Sequence, residues 1–445
     1  MKVTLIRPHM TARRAADALE PLAFAILAGL TPQDVELALY DDRIEPIPYD
    51  EPTDLVALTA ETFTAKRAYQ ISSQYRRRGV PVLMGGYHPT LAPDEALLYA
   101  DAIVIGDAEN VWSQVIHDAR AGRLRRVYRS ESPPSLCRLR PDRTIFMRKP
   151  YAPVRLVQFG RGCRYACDFC SIHAFYGASL RQRPIEDVVA EISGLDGKFV
   201  IFADDNLFVH EQQAEALFRA LGPLGTRWAC QISVDIARNV HLLDLMAKSG
   251  CFAVLLGLES LNEENLAQMK KKWNLKQGAY SDILQEFYRH GIMVAGTFVF
   301  GYDHDTPVTL ERTLEFAMHS KLALAHFNTL IPTPGTPLYR RLQAEGRLIY
   351  GRWWLDDRYR YGEATFHPRR ISAAELGEGC FRLRQQFNAY GAILSRACDR
   401  RMNAASPRNL LAFLAINVVS RKEIHNKQWQ PLGGGTPGLP GLQVA

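Results

Sequence analysis

Arg161-Gly-Cys-Arg-Tyr-Ala-Cys-Asp-Phe-Cys170 holds three cysteines, Cys163, Cys167 and Cys170, in the order C-x3-C-x2-C. It follows a short apolar run, Val154 to Phe159, that reads as a strand. Three thiolates this close, on a loop leaving a strand, can converge on one soft metal centre. Zinc would want a fourth protein ligand, which His173 could supply, although zinc cysteines usually pair as C-x2-C. Thiolates also hold iron–sulfur clusters, and a [4Fe-4S] cluster on three cysteines keeps one iron open for a small ligand. Unrelated buried cysteines are the third reading. The spacing favours the cluster.

Composition sets the frame around this loop. A chain of 445 residues calls for two or three domains, and 47% hydrophobic residues suffice for sizeable cores. The formal charge of +7 is spread over short, distant runs such as Arg76-Arg77-Arg78 and Lys270-Lys271-Lys272. Such runs read as solvated faces, and no nucleic-acid partner is expected. Eight cysteines in this length make no disulfide scaffold, and clustered thiols point to a reducing compartment. Neither a signal peptide nor a stretch of ~20 apolar residues is visible, so the expected location is cytoplasmic.

Residues 1–125 alternate strands and helices at the spacing of a doubly wound parallel sheet. Ligands of such sheets sit beyond the strand carboxyl ends. There the chain places Pro8, Asp41, Glu61, the run Gly85-Gly86-Tyr87-His88 and Gly106-Asp107-Ala108-Glu109. Paired glycines after a strand let backbone approach a ligand, or simply make a tight turn. The first strand is not followed by G-x-G-x-x-G, which disfavours a dinucleotide. Residues 126–150, rich in proline and arginine, read as a linker that contains Cys137.

From residue 151 to 345 the rhythm resumes, with strands expected at 155–159, 199–203, 227–233, 252–258, 293–300 and 325–330. Six βα units in this length suggest an open sheet or a partial barrel, with active-site residues at the strand carboxyl ends. The second strand ends in Asp204-Asp205-Asn206, able either to grip an amino group by charge-assisted hydrogen bonds or to cap the next helix. The third carries Gln231, Ser233 and Asp235. The fourth ends at Gly257 and Glu259, where glycine permits close approach. Cys230 and Cys251 sit in apolar surroundings and read as core.

The region 346–445 opens with aromatic residues, Trp353, Trp354 and Tyr359 to Tyr361, that either roof a pocket or pack in a core. Ile371 to Ala389 looks helical, with Ser372 and Glu375 spaced as a capping box. Leu410 to Val419 is apolar and either docks on the barrel or touches a membrane surface. Pro431 to Ala445 reads as a mobile Gly- and Pro-rich tail.

The C-x3-C-x-aromatic-C pattern, with Phe169 at the aromatic position, resembles the signature of radical S-adenosylmethionine (SAM) enzymes. The runs Val82 to Thr90 and Gly106 to Glu109 resemble the cobalamin-binding domain that precedes many of them. The resemblance implies a (β/α)6 partial barrel carrying a [4Fe-4S] cluster on Cys163, Cys167 and Cys170. It implies SAM held by its amino and carboxylate groups on the open iron and cleaved to a 5′-deoxyadenosyl radical. Asp204, Asp205 and Asn206 would take the amino group, with Gln231, Ser233 and Asp235 at the ribose and Gly257 and Glu259 as further contacts. Gly85, Gly86, Tyr87, His88, Gly106 and Glu109 would border cobalamin. Because the D-x-H-x-x-G motif is missing, that cobalamin is expected base-off, without histidine on cobalt. The implied reaction is methylation of an unactivated carbon in a small, hydrophobic substrate such as a lipid or natural product. An external donor such as flavodoxin or ferredoxin would supply the electron. The rivals are cyclisation, rearrangement or oxidation without methyl transfer, and a zinc-dependent scaffold or nucleic-acid-binding module.

Overall fold

The computed structural model describes residues 1–196 and 199–435. The expected tail from Pro431 falls largely outside the described residues. The first sheet contains β1 (Lys2–Arg7), β2 (Glu36–Asp41), β3 (Leu55–Thr59), β4 (Val82–Gly85), β5 (Ala102–Ile105) and β6 (Val127–Arg129). All pair in parallel, in the order β2-β1-β3-β4-β5-β6. Strands such as Leu55–Thr59, buried along nearly their whole length, suit a sheet covered by helices on both faces. Chain direction across the sheet reverses between β1 and β3, which makes the carboxyl ends of those two strands the crevice of the sheet. β6 is a correction to the expected linker, because it extends the first sheet beyond residue 125. Three residues among prolines left it without a readable pattern.

The linker crosses to the second unit through buried polar contacts. Arg143 pairs with Glu20 at 3.2 Å and Glu191 at 2.6 Å, while Leu136 and Leu139 pack on Leu22 and Ile26. The second sheet runs through β7 (Arg155–Val157), β10 (Phe199–Phe202), β11 (Arg227–Ile232), β12 (Cys251–Glu259), β13 (Met293–Phe300) and β14 (Leu324–Thr329). Between β7 and β10, a two-residue pair, β8 (Gly160–Arg161) and β9 (Arg181–Gln182), closes the base of the cysteine loop. The six long strands are parallel neighbours in sequence order, and β7 and β14 remain the free edges of a partial barrel. Along β11 to β14 residues alternate between buried and partly accessible, the period of a sheet with helices on one face only.

Helices Ala373–Phe387, Tyr390–Ala397 and Pro407–Lys427 make up most of the carboxyl-terminal region. Ser372 and Glu375 form the expected capping box. The aromatic stretch is core: Trp353, Trp354 and Tyr359 are buried against Val56, Tyr69 and Met84 of the first domain. Trp354 donates to Glu95 at 2.8 Å, so this stretch ties the third region to the first.

Candidate active site

The cysteine loop leaves β8 and is fastened at several residues. Asp204, at the end of β10, accepts from the backbone N–H of Phe159 at 2.9 Å and from that of Gly160. Asp205 accepts from Gly162 N–H at 2.8 Å. Asn206 donates to Ser233 Oγ at 3.1 Å, with its Nδ2 also 3.8 Å from Cys163 Sγ. Asp235 receives Tyr165 Oη at 2.7 Å and the Arg164 guanidinium. Asp168, between Cys167 and Cys170, accepts from the Tyr302 hydroxyl at the end of β13. Tyr165 stacks on Trp273 with ring centroids 3.5 Å apart. The residues expected at the strand ends are therefore assembled around the loop.

Several of them serve the protein itself. Asp204 is buried, and burial pushes its carboxyl up to about 7 even though two backbone donors favour its charge. In this arrangement it clamps the loop instead of presenting an edge to an amino group. Gly257 is tight for a different reason than ligand approach. A Cβ there would stand 2.4 Å from Glu259 Oε1 and 2.7 Å from Lys271 Nζ. Glu259 adopts φ 64°, a left-handed conformation rare outside glycine, which accompanies its inward ion pair with Lys271 at 2.9 Å. Lys271 is thus buried, which corrects the reading of Lys270-Lys271-Lys272 as a solvated run. Its ammonium also counters the effect of burial, which pushes the Cys167 thiol up to about 12.

The donor set fits the cluster and SAM. All eight cysteines are free, and Cys163, Cys167 and Cys170 share one loop. Among the described residues no three His, Cys, Asp or Glu side chains cluster tightly enough for a single metal ion, whereas a cluster spaces its thiolates over different irons. Asp235 Oδ1 and His173 Nδ1 are buried without a protein partner, the condition of groups awaiting a ligand. Gln231 is exposed at the end of β11 and donates to the Asp205 carbonyl at 3.1 Å. Phe169 packs on the barrel core.

The first sheet meets this loop at its carboxyl edge. Arg161, buried, pairs with Asp107 at 2.9 Å and Glu109 at 2.6 Å, and Arg181 pairs with Asp107 at 2.7 Å. Tyr87 lies 4.6 Å from Phe175 on the helix Ser171–Tyr176 that follows Cys170. Glu109 and Tyr87 are therefore domain contacts. His88 is fully buried, its nitrogens 3.0 Å from Tyr69 Oη, 3.0 Å from Glu95 and 3.4 Å from Thr62, so it cannot reach a cofactor in this conformation. Gly86, at φ 99°, makes a turn against Ala60 and Thr59, whereas Gly106, at φ 80°, has open space above it and Gly85 only an ordinary contact. A cavity of about 410 Å³ opens at the β1/β3 crevice between Pro8, Met10, Thr59, Glu61, Phe63, Leu156, Tyr361 and Lys427. His9 borders it with its Nε2 held 2.7 Å from the Arg13 carbonyl. Open space above Gly106 and the crevice cavity leave room for a ligand at the strand ends of this sheet.

This geometry agrees with comparison to known proteins. Residues 157–317 match the radical SAM superfamily and residues 10–116 the B12 binding domain. The chain belongs to the radical SAM enzymes that carry an amino-terminal cobalamin-binding domain, so the use of SAM and an iron–sulfur centre follows from its class. It is 30% identical to bacteriochlorophyllide d C-12(1)-methyltransferase of Chlorobaculum tepidum, over 86% of either chain. It is 26% identical to hopanoid C-2 methylase of Rhodopseudomonas palustris, over 74% of this chain and 65% of that one. In fold it is similar to the radical SAM methyltransferase TsrM of Kitasatospora setae, with a TM-score of 0.63 and 17% identity over 77% and 76% of the two chains. These matches make the chain a radical SAM enzyme and not a zinc-dependent scaffold.

Proposed function

We propose that the protein methylates an unactivated carbon of a small, hydrophobic molecule, using cobalamin beside the cluster-bound SAM. The observation that carries this reading is the contact of two strand-end edges in one chain: Arg161 at the base of the cysteine loop pairs with Asp107 and Glu109 beyond β5, and Leu156 of β7 lines the β1/β3 cavity. Relatives named as methyltransferases of bacteriochlorophyllide and hopanoid support a lipophilic acceptor. When bound, the cluster and SAM supply hydrogen abstraction, and cobalamin supplies the methyl group.

The chain's own part is orientation and exclusion of water. Cys163, Cys167 and Cys170 would hold the cluster; Asp205, Gln231 and Asp235 would face SAM; Pro8, Gly85, Gly106 and Glu61 would border the corrin. Asp204, Asn206, Asp168 and Tyr302 hold the loop that carries the three cysteines. An external one-electron donor completes the system. The test is anaerobic reconstitution with iron, sulfide and cobalamin, followed by metal and corrin analysis and a SAM-cleavage assay against lipophilic acceptors. A methylated product with 5′-deoxyadenosine is expected, and both should vanish in the C163A/C167A/C170A variant. 5′-Deoxyadenosine accompanied by an unmethylated, oxidised or cyclised product would instead establish the rival reaction.

A further inference from the structure

The helix Pro407–Lys427 is inside out. Its buried positions are Asn409, Phe413, Asn417 and Glu423, three of them polar. Each of the three is partnered inward: Asn409 with Arg227 at 2.7 Å, Asn417 with Arg396 at 3.0 Å and the Ala323 carbonyl at 3.0 Å, and Glu423 with the Ala16 N–H at 3.1 Å. On its outward face Leu411 is 70% and Val418 58% exposed, beside Arg408, Ala415, Lys422 and His425. The neighbouring helix Tyr390–Ala397 adds Tyr390 at 66% and Leu394 at 62%. Arg421 lies 4.4 Å from the Tyr390 ring, which joins the two helices into one patch. Single exposed apolar side chains need no explanation, but four grouped on two packed helices do.

The charges around the patch select its partner. Arg408, Leu411, Ala415, Val418 and Lys422 follow one another at helical spacing on the exposed side, so an apolar strip ends in a cation at either end. Glu423 is the single acid of the helix and is turned inward. A second copy docked here would bring like charges together. A bilayer with anionic headgroups would receive the apolar strip and both cations at once. The helix itself does not cross a membrane: among the described residues no helix is long and apolar enough to do so.

We propose that the outward faces of Tyr390–Ala397 and Pro407–Lys427 seat the protein on an anionic membrane surface, independently of the reaction it catalyses. The test is flotation of the full chain with vesicles of phosphatidylcholine alone or mixed with phosphatidylglycerol. The wild type is expected to float with the anionic vesicles and to be released by high salt. Arg408→Gln with Lys422→Gln should weaken partitioning about thirtyfold, on the basis of roughly 1 kcal/mol per basic residue at such a surface. Leu411→Glu with Val418→Glu should abolish it. All four positions are exposed, so iron content and the circular dichroism spectrum should not change. Wild type that stays unbound with both vesicles overturns the proposal. So does a dimer in light scattering that Leu411→Glu/Val418→Glu converts to monomer without any vesicle binding, since that outcome assigns the patch to a second copy.

Discussion

The two six-stranded parallel sheets end in opposite ways. At the carboxyl edge of the second, Asp204, Asp205, Asn206, Asp235 and Tyr302 are all bonded to the cysteine loop or its immediate support. At the edge of the first, the β1/β3 crevice is an open cavity whose nearby imidazoles are turned to other partners. One edge is filled by the protein's own contacts, whereas the other encloses a cavity. Substitutions at the first kind of edge should be felt as lost stability, and at the second kind as lost affinity.

The largest effect is expected where the two edges touch. Arg161→Met would leave Glu109 buried without its cation, while Asp107 would keep Arg181. Breaking a buried pair by removing one partner costs roughly 3–5 kcal/mol. Chemical denaturation of the apoprotein should show that loss, and adding Glu109→Gln should restore part of it. A melt unchanged by Arg161→Met would mean that the domains are held together elsewhere.

A somewhat smaller effect separates the clamp from a ligand contact by its pH dependence. The folded-state Asp204 carboxyl is raised to about 7 by burial, so the native state binds more protons than the unfolded chain between its ordinary value and there. Stability from this group is therefore fully present below about pH 4 and is lost as pH rises to about 7, a change on the order of 4 kcal/mol. Asp204→Asn removes the titration. Its stability deficit relative to the wild type should shrink as pH rises through that window, as measured by denaturant titration at several pH values. A deficit independent of pH would show that Asp204 is already ionised on its two N–H donors.

These contacts also explain what could be read from the sequence. The strands of the second sheet were visible because apolar runs punctuated by glycine and polar strand ends are local signals, and the observed bounds differ by a residue or two. The cysteine spacing is a local signal too, and it marks the candidate site. What the spacing did not carry is pairing across long separations: Tyr302 with Asp168, Arg161 with Glu109, and Lys271 with Glu259 have no local pattern. Lys271 looked solvated because its neighbours are lysines, and only the fold turns it inward. Asp204 was placed at the right strand end, but its partner is loop backbone, to which side-chain chemistry gives no clue.

The smallest effect expected is also the most selective. Glu61 is exposed at the mouth of the β1/β3 cavity, where its carboxylate stands 3.7 Å from Arg7 in a solvent-screened pair. Such a pair contributes ~1 kcal/mol at most, so Glu61→Trp should fold normally. The indole, however, would occupy space that a corrin would need at the strand ends. Cobalamin affinity should fall about tenfold, equivalent to about 1.4 kcal/mol, as followed by the corrin absorbance retained on gel filtration. Iron content and SAM cleavage without acceptor should stay at wild-type levels, because the cysteine loop is fastened to the other sheet. If Glu61→Trp lowered iron loading as well, the two edges would be one cooperative site and the contrast between them would fail.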